Sequence, residues 1–215
     1  MAAKRLAVPP LKAAVFVLCL VPLFWLVWQG FYGGLGANPI QALERRLGVW
    51  ALRFLLIALA VTPVRQMTGW SALARLRRML GLFAFFYVTL HLLSYVGLDE
   101  FFDWHAIGRD ILKRTFITVG MAAFALLIPL AVTSTDRMAR RLGGRRWRLL
   151  HRAVYGVAPL AVVHYWMMIK ADHVEPFLYG LIALLLLSWR VNKSLTARRG
   201  RGPKISIPAG GPARP

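Results

Sequence analysis

Few groups in this chain can do chemistry beyond five histidines and a single cysteine. With only Cys19 available, disulfides, cysteine-ligated iron–sulfur clusters and thiolate zinc sites are excluded. Three histidines, His91, His151 and His164, lie in or at the edge of two apolar runs, 79–98 and 148–168. A histidine in hydrocarbon costs free energy unless its ring nitrogens find partners, which makes these three the functional candidates. Their imidazoles could ligate a transition metal or bind across helices as polar glue. His105 and His173 lie among polar residues and read as solvated loop side chains.

The elements that must position these rings are membrane helices. Hydrophobic residues make up 58% of the 215, and the mean hydropathy is +0.56, far too apolar for a soluble domain. The pattern predicts an all-α membrane protein, a six-transmembrane-helix bundle with spans at 13–28, 47–61, 79–98, 115–133, 149–169 and 174–189. The first run has the basic flank of a signal peptide but no small-x-small cleavage site after it, so it is kept as a span. Thr62-Pro63 is expected to stop the second span, and Arg53 to snorkel from its start. The domains are then a cytoplasmic N-terminus (1–12), the six-helix domain (13–191) and a basic, disordered cytoplasmic tail (192–215).

A net charge of +20 raises the question of nucleic acid, but the basic residues alternate in blocks with the apolar runs. The N-terminus, the 63–78 and 134–148 loops and the tail from Arg190 carry twenty basic residues; the loops between them carry six. Seven of the eight acids fall in that second set, including Asp99, Glu100, Asp103 and Asp110. The bias at every loop places both termini in the cytoplasm, with membrane lipid and not nucleic acid as the basic surface's partner.

This topology makes spans 3 and 5 parallel and gives each histidine a depth. His91 follows Arg78 by 13 residues, and His164 follows His151 by 13. At 1.5 Å per residue both upper rings lie roughly 20 Å from the inner edge, level with each other. Two level imidazoles on neighbouring helices are what bis-histidine ligation of a haem iron requires, so His91 and His164 are the expected axial ligands. Ala84 and Tyr87 share the His91 face of the helix; Val157 and Ala161 share that of His164. His151 lies nearly opposite His164 on a straight helix, although Pro159 softens that angle. It could serve a second, inner haem, a propionate, a quinone or a flavin, but Arg77 and Arg78 occupy the matching inner position and cannot ligate iron. Arg77, Arg78 and Arg148 are candidates for propionate or phosphate contacts.

The segments GANP (36–39), WALRFLL (50–56), TPVRQMTG (62–69), RRMLGLFAFFYVTLHLLSY (77–95) and WRLLHRAVYGVAPLAVVHYW (147–166) resemble the YedZ/MsrQ family. That family comprises the haem-binding membrane subunits of the periplasmic protein-methionine-sulfoxide reductase system, within the ferric-reductase-like transmembrane superfamily. The resemblance implies a b-type cytochrome in the bacterial inner membrane. It would carry electrons from the quinone pool, through bound FMN or directly, to a periplasmic molybdenum-containing catalytic subunit. Sulfoxide reduction itself would belong to that partner. By resemblance, His91 and His164 carry haem b and His151 is a third haem-associated histidine. The superfamily's fourth histidine is missing, which puts a second haem in doubt. No FAD/NAD domain is present, so direct NAD(P)H oxidation is not expected. Two alternatives stand beside this reading: a stand-alone ferric-reductase-like oxidoreductase, and a non-redox transporter or structural membrane protein.

Overall fold

In a computed structural model that describes residues 8–170 and 172–199, the chain is helical, with no strand among the described residues. The helices are α1 (Val8–Phe31), α2 (Pro39–Thr68), α3 (Arg77–Ser94, continued by a wide turn over Tyr95–Asp99) and α4 (Trp104–Lys113). They continue with α5 (Thr115–Val132), α6 (Asp136–Leu150), α7 (Val154–Met168) and α8 (Val174–Arg199).

Five of these, α1, α2, α3, α5 and α8, are long and apolar enough to cross a bilayer, which makes this a multi-pass membrane protein. The expected fifth span falls short. Its helix, α7, has 15 residues, or about 22 Å against roughly 30 Å of hydrocarbon. A separate turn at His151–Ala153 takes up the segment counted as its start. Two segments read as loops are also helical: Asp103 caps α4 by accepting from the backbone N–H groups of His105 and Ala106, and 136–150 forms α6.

Helix α2 is the centre of the bundle, with 61% of its apolar span buried, against 11–28% for the other four. It runs through Pro63, where a stop was expected, and ends at Gly69 in the left-handed conformation (φ 70°). A proline at 63 removes the N–H that would bond the Leu59 carbonyl. That carbonyl instead accepts from Arg190 Nη2 of α8 at 2.5 Å, so the helix continues without an orphaned acceptor. Helix α8 likewise continues past Asn192, where the tail was expected to begin, to Arg199; Lys193 bonds Gln66 of α2. The rest of the expected tail, 200–215, lies outside the described residues.

Tyr87, expected on the His91 face, turns away from it. Its hydroxyl is inserted into the ladder of α1, donating to the Cys19 carbonyl (2.8 Å) and accepting from Leu23 N–H (3.1 Å). It is fully buried there. Helices α2 and α3 form one closely packed pair and α5 and α7 another, and the two pairs face each other.

Candidate functional site

Between the two pairs lies a cavity of about 570 Å³. His91, from α3, and His164, from α7, project into it with ring centroids 6.1 Å apart and planes inclined at 72°. Each ring is tied to a neighbouring helix. His91 Nδ1 is 2.9 Å from the Glu44 carbonyl oxygen of α2, and His164 Nδ1 is 2.7 Å from the Phe116 carbonyl oxygen of α5. A carbonyl can only accept, so each Nδ1 carries the proton and each Nε2 keeps its lone pair. The expected small residues Ala84, Val157 and Ala161 line the cavity, with Leu127. Its mouth is polar, formed by Asn38, Gln41, Arg45, Tyr95 and Arg114.

The other sequence candidates lie apart from this cavity. His151 stacks on Trp147 (centroids 4.0 Å, 28°), and its Nε2 is 3.1 Å from the Thr133 hydroxyl. That hydroxyl gives its only hydrogen to the Pro129 carbonyl (2.6 Å), so His151 Nε2 must be the donor to it. Arg77 and Arg78 open α3 at the same end of the bundle, with Arg78 paired to Asp136 at 2.5 Å. Arg148 is exposed on α6. His105 is exposed, as expected, whereas His173 is half-buried against the Trp166 ring (4.9 Å).

Residues 47–162, more than half of the chain, match the family described as ferric reductase like transmembrane component. A protein-methionine-sulfoxide reductase heme-binding subunit MsrQ from Rhodospirillum rubrum is 59% identical over 193 residues, covering 89% of this chain and 93% of its own. Proteins of the same name from Caulobacter vibrioides (54%; 82% of this chain, 84% of its own) and Azospira oryzae (53%; 92% and 85%) are nearly as similar. The chain belongs to the MsrQ family.

Beside the cavity, this MsrQ-family chain holds a polar network that sequence reading missed. Glu175 of α8 accepts from the Tyr165 hydroxyl at 2.6 Å and from Arg53 Nη2 at 3.4 Å, with Arg45 Nη2 3.9 Å away. Arg53 Nε also donates to the Tyr179 hydroxyl at 2.6 Å, and its guanidinium lies over Trp50. Arg53 therefore pairs across to α8 where snorkelling was expected. An arginine within an apolar helix was the only sequence signal, because its partners are distant in the chain. Glu44 carries a further signal: its Oε1 is buried with no hydrogen-bond partner among the described residues, and the residue lines the cavity.

Proposed function

We propose that this protein is the haem-binding, electron-carrying membrane subunit of a protein-methionine-sulfoxide reductase system, with His91 and His164 as axial ligands of one haem b. The observation that carries the reading is the pair of facing rings. A metal–imidazole bond of about 2.0 Å, plus about 1.2 Å from nitrogen to ring centre, requires centroids roughly 6.4 Å apart across one metal ion. The separation here is 6.1 Å. The names of the relatives and the ferric-reductase-like match support the same reading.

The cavity's chemistry suits the group. A volume of about 570 Å³ is within the usual range of cofactor sites, and an orphaned buried oxygen such as Glu44 Oε1 is a common mark of a missing partner. A bound haem supplies one-electron redox chemistry. The protein's own part is orientation and insulation. The Glu44 and Phe116 carbonyls fix each imidazole's tautomer and raise its basicity as a ligand. Apolar side chains exclude water, and the Arg45 and Arg114 guanidinium groups suit propionates at the mouth.

In this reading the chain crosses the bacterial inner membrane six times, α7 included, with both termini in the cytoplasm. Electrons enter from the quinone pool, by way of FMN at the arginine-rich end or without it. Arg77, Arg78 and Arg148 are the phosphate or propionate contacts there. They leave to a periplasmic molybdenum-containing catalytic subunit that reduces methionine sulfoxide. His151 contributes at that inner end as a flavin, quinone or propionate contact. A second haem on it is disfavoured, since the matching inner position of α3 holds Arg77 and Arg78, neither of which ligates iron.

The test is to purify the protein in detergent and quantify haem as the pyridine haemochrome, with wild type beside His91→Ala and His164→Ala. Wild type should show a dithionite-sensitive Soret band that both variants lose. A full low-spin spectrum in His164→Ala sinks the assignment. The family description favours one other reading, a stand-alone reductase of a small external acceptor. Reoxidation of the reduced protein by a small acceptor alone, as fast as by the partner protein, would select it.

A further inference from the structure

The two cavity histidines are held by the same device, although they come from different helices. His91 bonds the carbonyl of residue 44, and its ring lies against Gly48; His164 bonds the carbonyl of residue 116, and its ring lies against Gly120. In both supporting helices the glycine comes four residues after the acceptor. Helix geometry explains the spacing. A helical carbonyl points along the axis towards the N–H four residues on. The Cβ of that later residue tilts back towards the N-terminus, over the turn that holds the carbonyl. A donor ring from another helix that approaches such an acceptor closely therefore comes up against that Cβ, and a glycine there removes the obstacle.

The tolerances differ between the two. A Cβ on Gly120 would lie 2.8 Å from both Nδ1 and Cε1 of His164, closer than carbon atoms approach, whereas one on Gly48 would lie 3.4 Å from the same atoms of His91. Gly81, inside α3, has nothing within 4 Å of its would-be Cβ. Local helix stability does not ask for glycine, which costs about 1 kcal/mol relative to alanine in a helix interior.

We infer that Gly120 is a positioning residue for the ligand His164: its missing side chain lets the ring donate Nδ1–H to the Phe116 carbonyl while Nε2 faces the cavity. Gly48 stands in the same register to His91, where an added Cβ would reach ordinary van der Waals contact. The inference rests on the haem reading of the two histidines. A methyl group at 120 must push the imidazole off the carbonyl, changing ligand basicity and tilt together.

The experiment compares Gly120→Ala, Gly48→Ala and Gly81→Ala in the full-length, detergent-purified protein. Haem per polypeptide, low-spin electron paramagnetic resonance g values and the midpoint potential are the readouts. For Gly120→Ala we expect haem affinity lower by about tenfold or more, the usual cost of disturbing a ligand's supporting hydrogen bond, and altered g values and potential in any haem retained. Gly81→Ala should match wild type, and Gly48→Ala, whose added Cβ makes only ordinary van der Waals contact with His91, should lower haem affinity less than Gly120→Ala does. Wild-type haem content, g values and potential in Gly120→Ala overturn the inference. If His164→Ala keeps its haem, the haem reading falls. If His164→Ala loses it and Gly120→Ala is unchanged, only this inference falls. Should Gly120→Ala fail to yield monodisperse protein, double-resonance spectroscopy of wild type decides. An exchangeable hydrogen-bonded Nδ1 proton on both ligands supports the inference, and its absence from either overturns it.

Discussion

The two ends of the bundle hold histidines in opposite states. At the cavity, His91 and His164 lie side by side with both Nδ1 atoms engaged by backbone and neither Nε2 atom hydrogen-bonded among the described residues. At the arginine-rich end, His151 has its Nε2 committed to Thr133, its ring covered by Trp147 and no imidazole opposite. The difference lies in which nitrogen the protein occupies. Tying Nδ1 to a carbonyl leaves the Nε2 lone pair for the cavity, as the proposed ligands require, whereas His151 donates from Nε2 and keeps its lone pair on Nδ1. Membership of an apolar run does not distinguish the two cases.

The sharpest way to break this contrast is His164→Ala, which should remove nearly all haem absorbance, while His151→Ala leaves most of the Soret band in place. Equal losses in both variants would erase the distinction. Next in size is Arg190→Leu. It strands the Leu59 carbonyl opposite Pro63, and a buried unsatisfied acceptor costs about 1–3 kcal/mol. The loss would be read as a lower thermal midpoint in detergent. Pro63→Ala in the same background should recover part of it, because the helix can then bond its own carbonyl. His151→Ala alone should lower stability by about 1 kcal/mol, through the lost bond and stacking, without moving the potential of the cavity haem.

The smallest effect belongs to the ion pair of Arg78 and Asp136. The guanidinium holds the Asp136 carboxyl below its ordinary range, so the pair stabilises above that range and is lost as pH falls through the lowered value. Asp136 is mostly exposed, and Asp136→Asn should therefore differ little from wild type at neutral pH. The two should converge in acid. A gap that widens on acidification would contradict the sign.

Part of this architecture was legible in the residues alone. That His91 and His164 would meet followed from charge blocks and a fixed rise per residue, and the small side chains Ala84, Val157 and Ala161 beside them followed from helical spacing. What holds the rings could not be read, because a backbone carbonyl has no residue type; only the glycines at 48 and 120 leave a trace of it. Pro63 was misread for a related reason. Proline removes a donor, but a helix ends there only if nothing else supplies one, and Arg190 lies far along the chain. Tyr87 was assigned to the wrong face because its hydroxyl found partners in α1. α7 was overextended because apolar composition does not reveal where an α-helix gives way to a tighter turn.

The division of the bundle into two helix pairs bears on assembly. α2 with α3 holds one imidazole and α5 with α7 holds the other, so on the proposed haem reading neither helix pair alone carries both ligands. Iron would then act as a rivet between prefabricated halves, and insertion of the macrocycle would be a late checkpoint in biogenesis. On that reading, cells short of porphyrin should accumulate a loosened, protease-sensitive chain.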